Sequence, residues 1–406
     1  MSFEQGLSGL NIATKNLDAI GNNVANSSTV GYKSERAEFA DVFASSLGGG
    51  SGVQIGIGAK VAAVRQQFTQ GNITTTSNPL DVAINGSGFF RVSTNGTISY
   101  SRNGQFSLDS NGFMVTDSGA RLTGFPADPN GQIVASTPVD LQLSLANIAP
   151  KPTGTASMAL NLDSRDTVPT SAFNMTNPAS YNSSTAMTVY DSQGNSHTLT
   201  TYYVKTSSNN WDVYAAADGN ALNGGAAVGS LAFGAGGTLP ADVTMNMSIP
   251  LTNGAVSPLA IPLTFPASDM SQFGVDFSVN KLQQDGYTTG TLAGFSIGTD
   301  GTVTGRYTNG QTRAQGQIVL ANFINPQGLV SLGNNEWAES ADSGQPLVSS
   351  PGSGTLGLLQ SGALEDSNVD LTAELVNMIT AQRAYQANAQ TIKTQDQMDQ
   401  TLVNLR

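Results

Sequence analysis

Apolar residues mark both ends of the chain at helical spacing. Phe3, Leu10, Leu17 and Val24 fall seven apart, with Leu7, Ala13 and Ile20 on neighbouring rows, and Leu371, Met378, Tyr385 and Ile392 repeat the interval near the other end. Seven-residue spacing lines side chains along one seam of a helix, and such a seam is normally buried against another helix. The pattern predicts a first helix over about Phe3–Val24, stopped by Asn26-Ser-Ser-Thr29 ahead of Gly31, and a last helix over Leu371–Leu405. Ser2 is a candidate N-cap, with Gln5 completing a capping box. The last helix would be about 50 Å long, and the entropy of fixing so many residues exceeds what one uncovered apolar stripe returns. Order at the ends is therefore expected to depend on what covers the seams. Two sticky ends point to a subunit that polymerises; a helical hairpin folded back within one chain is the alternative.

Between the ends the pattern changes to short alternating runs rich in Gly, Ser, Thr and Asn. Residues 34–80 read as an irregular connector, with a short helix over Glu35–Phe43, a Gly-rich stretch over Leu47–Gly58 and a strand over Ala59–Phe68. Pro79–Phe125 reads as a meander of strands near Leu80–Ile84, Gly88–Val92, Ile98–Tyr100, Phe106–Leu108 and Phe113–Val115. Asn95-Gly96, Asn103-Gly104 and Asn111-Gly112 supply the turns, because Asn-Gly adopts the positive backbone angles a tight hairpin needs. Pro150 and Pro152 sit in a composition shift over Ser144–Thr155. Beyond it lie strands at Ala186–Tyr190, Thr198–Lys205 and Trp211–Ala215, then a small-residue stretch over Ala215–Gly237 that is expected to be loop. From Asp285-Gly286 the earlier style returns, with strands at Phe295–Ile297, Val303–Tyr307 and Gln317–Phe323.

The fold class that follows is mostly β with α-helical termini, discontinuous and multi-domain. Paired N- and C-terminal coiled-coil helices (1–33 and 363–406) flank a β-domain built from 81–147 and 286–362, into which a second β-domain (148–285) is inserted. Insertion at an exposed loop is tolerated because loop-closure entropy grows slowly with length.

Composition removes several functions. The chain has 406 residues and 39% hydrophobic content, enough for real cores, and a net charge of −12 although only 11% of residues are charged. With 17 Lys plus Arg against 29 Asp plus Glu and no basic cluster, a nucleic-acid footprint is missing. Zero cysteines exclude disulfides, thiolate metal sites and a cysteine nucleophile. No apolar run is long enough for a membrane span and no secretory signal opens the chain, so export would use another route. His197, the one histidine, stands near Asp191, but a lone strand histidine beside a turn is far more often structural than catalytic. Gly56 and Gly58 begin a dinucleotide-like loop that Val61 breaks. Asp109-Ser-Asn-Gly112 and Asp128-Pro-Asn-Gly131 begin calcium-like loops without the later ligands, which favours ordinary Asx turns. No catalytic constellation, cofactor site or metal site emerges.

The ends carry more than periodicity. Asn22-Asn-Val-Ala-Asn-Ser-Ser-Thr-Val-Gly-Tyr-Lys33 and Ser367-Asn-Val-Asp-Leu-Thr-Ala-Glu-Leu-Val-Asn-Met-Ile-Thr-Ala-Gln-Arg-Ala-Tyr-Gln-Ala-Asn-Ala-Gln390 resemble the N- and C-terminal signatures of the axial proteins of the bacterial flagellar rod and hook. The motif residues are Asn22, Asn23, Asn26, Gly31, Tyr32, Gln382 and Arg383. Gln70–Phe90 is common to hook and distal rod, while Met187–Leu199 and Trp211–Tyr214 resemble the outer domain of hook members. A distal rod protein would lack the inserted domain; outside the family, a secreted β-rich carbohydrate-binding protein or enzyme is the alternative.

The resemblance implies a non-enzymatic subunit, exported through the flagellar type III apparatus and stacked outside the cell into a short curved tube that serves as a universal joint. It also implies partners: further copies of itself, the distal rod protein, a hook cap protein, a hook–filament junction protein and the export apparatus, with no nucleic acid and no membrane insertion. Candidate assembly residues are Phe3, Leu7, Leu10, Leu17, Ile20 and Val24 against Leu371, Leu375, Met378, Tyr385, Ile392, Met398, Leu402 and Leu405. Gln382 and Asp396 interrupt that seam and are candidates for setting register between subunits. Asn22, Asn23, Asn26 and Gly31 equally suit plain termination of the first helix.

Overall fold

A computed structural model describes residues 2–42, 56 and 58–404. Two helices, α1 (Ser2–Ala25) and α2 (Leu371–Asn404), close the ends of a mostly β chain. The chain divides into two compact units, one of Met1–Leu145, Gly294–Arg306 and Thr312–Arg406, the other of Ala146–Ala293 and Tyr307–Gln311.

In the first unit, strands from two separated stretches interleave in one sheet. Its path runs Leu292–Ile297, Thr302–Tyr307, Thr312–Ile318, Arg121–Pro126, Phe89–Thr94, Thr97–Ser101, Glu336–Ala338 and Val330–Gly333. Gln317 pairs with Phe125, Leu320 with Phe90 and Trp337 with Tyr100, so neither stretch completes the sheet alone. Phe89, Tyr100, Phe323 and Trp337 form an aromatic core on this sheet. Their rings meet edge to face, 4.7 Å apart for Tyr100–Phe323 and 5.8 Å for Phe89–Trp337, the arrangement the ring quadrupole favours. Phe68 from the connector joins them 5.4 Å from Phe89.

Several local expectations change. The predicted helix over Glu35–Phe43 is a strand, β1 (Glu35–Val42), paired antiparallel with β2 (Gly58–Gln66), and the strand expected over Ala59–Phe68 is the latter. A lone short helix has weak propensity and little apolar face there, so pairing with an alternating neighbour wins. Asn95-Gly96 is a two-residue turn with both angles positive, φ 52° and 87°. Asn103-Gly104 is no turn: the glycine is required because a Cβ at position 104 would collide with the Val82 carbonyl oxygen. The strand expected over Gln317–Phe323 breaks at Val319, since the residues before it pair with Arg121–Pro126 and those after it with Phe89–Thr94. The Gln5 side chain donates to the Gly56 carbonyl at 2.6 Å rather than closing a capping box. The Ser2 side chain and most of the Gly-rich stretch lie outside the described residues.

The second unit carries two five-stranded sheets sharing one core. Ala156–Asp163 is central to one of them, parallel to Leu259–Phe265 and Ser271–Phe273 and antiparallel to Ser278–Gln284. Alternation explains the burial: Leu259, Ile261, Leu263 and Phe265 point inward while Ala260 stays exposed. Trp211 is fully buried and its indole donates to Gln272 Oε1 at 2.7 Å. The small-residue stretch expected to be loop contains an edge strand, Gly229–Ala232, paired with Asn210–Ala217. Leu231 and Phe233 drive this by burying their side chains in the core.

Candidate assembly interface

Within one chain only part of each heptad seam is covered. α1 and α2 run antiparallel, with Gly6 against Ile392, Gly9 against Asn388 and Asn23 donating to Glu374 Oε1 at 3.3 Å. A Cβ on Gly6 would lie 2.9 Å from Ile392 Cγ1, and one on Gly9 2.6 Å from Asn388 Oδ1, so the backbones approach where glycine leaves room. Ala13, Ala19 and Ile20 of α1 and Ala381 of α2 are buried as well. Close approach at glycines takes the place of a leucine seam at these two positions.

The candidate residues therefore separate. Ile20 is buried; Leu10, Leu17, Val24, Met378 and Ile392 are half-buried; Phe3, Leu7, Leu371, Leu375, Tyr385 and Met398 are exposed. Gln382, Arg383 and Asp396 are exposed as well. Leu405 and the side chain of Leu402 lie outside the described residues. The helices differ in length, 24 against 34 residues. Gly9 opposite Asn388 fixes a position sum of 397, which places Ser2 opposite residue 395 and leaves 396–404 projecting about 13 Å past the end of α1.

The motif residues build the joint at the other end of this pair. Asn26 Nδ2 donates back to the Asn22 carbonyl at 3.0 Å and Thr29 donates to Asn26 Oδ1, which ends α1. Asn22 also reaches Glu35. Buried Asn23 imitates a strand: it donates to the Glu35 carbonyl at 2.8 Å and accepts the Glu35 amide at 2.7 Å, while the Tyr32 hydroxyl donates to its Oδ1. Burial, followed by the nearby carboxylates Glu35 and Glu374, pushes the Tyr32 phenol up to about 12. Gly31, at φ +70°, faces the Arg102–Asn103 backbone where a Cβ would lie 2.6 Å from the Asn103 nitrogen, and its amide donates to the Glu365 carbonyl.

Sequence reasoning missed the centre of the joint. Glu365 has a side chain with no exposure and accepts from Lys33 Nζ at 2.6 Å, Arg102 Nη1 at 2.9 Å and the Gly71 amide at 2.8 Å. Lys33 also donates to the Thr69 carbonyl, and Arg102 to that of Gly86. Burial lowers the pKa of both cations, with Glu365 opposing it. One carboxylate thus ties the end of the α1 segment, the connector, the sheet and the entry to α2. Asn368 adds a second tie, accepting the Ser34 amide at 2.7 Å and donating to the Gln67 carbonyl at 2.7 Å. A signal did exist: in so weakly charged a chain, a carboxylate flanked by Ala363-Leu364 is a candidate buried partner for a cation.

The sparse chemical candidates are structural. His197 Nδ1 lies 2.6 Å from Asp218 and its Nε2 3.4 Å from Asp191. Burial works against the charged ring, but the two carboxylates outweigh it and raise its pKa. Asp191 is already saturated, accepting from the Gln193 and Asn195 amides and from the Asn195 and Asn253 side chains. Asp109 and Asp128 cap Asx turns. Among the described residues no three metal-ligating side chains converge, and no helix is long and apolar enough to cross a membrane.

Comparison with known proteins runs along the whole chain. Residues 3–33 match the flagella basal body rod protein family, 83–163 the flagellar hook protein FlgE/F/G D1 domain, 161–287 the flagellar basal body protein FlaE D2 domain and 360–405 the flagellar basal body rod FlgEFG protein C-terminal family. The chain is 47% identical over 415 residues to the flagellar hook protein FlgE of Escherichia coli and likewise to that of Salmonella typhimurium, covering all of each. It is 32% identical to the FlgE of Borreliella burgdorferi over 439 residues, covering 100% of this chain and 99% of that one. A crystal structure of Helicobacter pylori flagellar hook protein FlgE2 shares the fold at TM-score 0.52 and 14% identity, over 72% of this chain and 100% of that one.

Proposed function

The chain belongs to the flagellar hook protein family, and on that premise we propose that its copies polymerise into a short, curved, hollow tube that acts as a universal joint between rod and filament. The observation that carries the reading is the helical pair, held to its β-unit by the buried Glu365 joint yet leaving Phe3, Leu7, Leu371 and Leu375 between 45% and 49% exposed. Exposed apolar side chains in a row are unfavourable in a lone molecule and favourable once covered. Covering the remaining half of a leucine contributes about 1 kcal/mol, and a polymer repeats the gain at every contact. The helices therefore supply cohesion. The hydroxyl- and amide-rich β-units supply contacts that are individually weak and exchange with water, which suits surfaces that slide as the joint turns.

The same reading assigns the chain no catalytic role, because the family is a structural one and its one histidine is committed to two carboxylates. It places the subunit outside the cell after passage through the type III channel, in contact with the distal rod protein, the hook cap protein and the hook–filament junction protein. Electron microscopy of purified protein under assembly-promoting conditions tests the core of it. Curved hollow tubes are expected from the full chain and none from a chain lacking residues 1–24; tubes from the truncated chain would defeat the reading.

A further inference from the structure

Eight Asn-Gly pairs occur along the chain, at Asn85, Asn95, Asn103, Asn111, Asn130, Asn223, Asn253 and Asn309. Glycine has no side chain to shield its backbone nitrogen, so that nitrogen can close on the carboxamide carbon of the asparagine before it wherever both groups are free. By sequence the eight pairs are alike, and by structure they are not.

Seven of the pairs are tied by hydrogen bonds. The glycine amide after Asn85 donates to Gln70 Oε1 at 3.1 Å, and those after Asn111, Asn130 and Asn309 donate to the carbonyls of Asp109, Asp128 and Tyr307. The side chains of Asn223 and Asn253 donate to the Ala227 carbonyl and to Asp191 Oδ2. Asn103 Oδ1 accepts the Gln105 amide at 3.0 Å, and Gly104 is buried. Asn95-Gly96 differs in both halves: neither the Asn95 side chain nor the Gly96 amide makes a hydrogen bond among the described residues. Both residues are exposed, and a Cβ on Gly96 would meet nothing within 4 Å, so the space around its nitrogen is open.

We propose that Asn95 is a site of spontaneous covalent modification, at which the chain converts its own asparagine to aspartate and isoaspartate. The Gly96 nitrogen gives up its proton and bonds to Asn95 Cγ, the Cγ–Nδ2 bond breaks, and ammonia leaves with that proton, closing a five-membered imide. Water then opens the ring. Addition at Cγ gives aspartate, whereas addition at the main-chain carbonyl carbon breaks the original peptide bond and leaves the backbone running through the side chain as isoaspartate. Nucleophile and target lie in one residue pair, so the step needs no enzyme and no reagent besides water.

The turn sets the consequence. Asn95 and Gly96, at φ 52° and 87°, form the two-residue turn that places Thr94 opposite Thr97 and Val92 opposite Ser99. Isoaspartate adds a backbone atom to that turn, and the register it fixes is lost. The same two strands carry Phe89 and Tyr100 into the aromatic core, so the change reaches the first unit's packing. The inference rests on this hairpin alone and stands apart from polymerisation.

Folded protein incubated at mildly alkaline pH, where the glycine nitrogen loses its proton more readily, is digested with trypsin and read by mass spectrometry against an unincubated control. Arg91 and Arg102 flank the site, so the peptide Val92–Arg102 holds Asn95 as its one asparagine, while Asn103 and Asn111 fall in the next peptide. A hydrogen bond that must break first slows a site about fivefold, so conversion at Asn95 is expected to exceed that at every other Asn-Gly pair by at least about that factor, with isoaspartate among the products. In urea the eight pairs are expected to react alike. Another pair leading in the folded protein, an even spread there, an intact Asn95, or the same preference for Asn95 in urea overturns the assignment. Thermal unfolding of the incubated protein reads the consequence. The first unit's transition is expected to fall in the parent and hold in N95G, whose Gly-Gly turn keeps both positive angles but has no side chain to close the ring. Equal behaviour of parent and N95G overturns the link from modification to hairpin.

Discussion

Replacing Glu365 by Gln tests the joint at its centre. The substitution keeps size and shape, removes the charge and turns one acceptor oxygen into a donor facing Lys33 or Arg102. The side chains concerned are 0% exposed for Glu365 and Lys33 and 4% for Arg102, so water cannot replace what is lost. Two buried cations would be left without a counter-charge, and removing one partner of a buried ion pair costs about 3–5 kcal/mol. Against a total of about 5–15 kcal/mol that is a large share of the first unit's stability. At about 2–4 °C per kcal/mol for a unit of this size, its melting temperature falls by roughly 6–20 °C. Calorimetry and urea titration measure this, with K15A as a control. Lys15 and Asp18 also lie 3.2 Å apart, but their side chains are 62% and 60% exposed, and an exposed pair contributes less than about 1 kcal/mol. An E365Q protein within about 1 kcal/mol of the parent would show that the carboxylate is not buried between two cations, and the account of the joint would be wrong.

Other outcomes follow from the same structure. Trp211→Ala removes a fully buried indole and strands Gln272, so the second unit loses about 3–5 kcal/mol while the melting of the first is unchanged; a shift in the first transition instead would contradict two separate cores. Gly104→Ala forces the backbone away from Val82 and destabilises the first unit by about 1–3 kcal/mol in urea titration, whereas a neutral effect would mean the strands are not so close. His197, with its pKa raised, contributes stability that is complete below its unfolded value of 6.5 and lost as pH rises through the folded value; Asp191 and Asp218, with lowered values, contribute above 3.8 and lose it as pH falls through theirs. The melting temperature of the second unit should accordingly decline as pH rises above 6.5 in the parent and stay flat over the same range in H197N, and identical profiles would refute the assignment.

The sequence alone determined what local physics determines: two long helices from seven-residue spacing, hairpins from Asn95-Gly96 and Asn111-Gly112, a β-rich middle with a composition break, and the family through motifs close to both ends. It did not determine which faces meet. Heptad spacing names a stripe without naming its partner, and the tertiary structure used Gly6 and Gly9 for the intrachain contact while leaving Phe3, Leu371 and Leu375 in the open. Glu35–Phe43 reads as helix or strand until β2 is beside it, since a short segment takes the state its neighbour pays back in hydrogen bonds. The same limit hid the joint: Glu365 and Lys33 are separated by most of the chain, and a charge's partner is fixed by distance in space, which burial and topology set and spacing along the chain does not record.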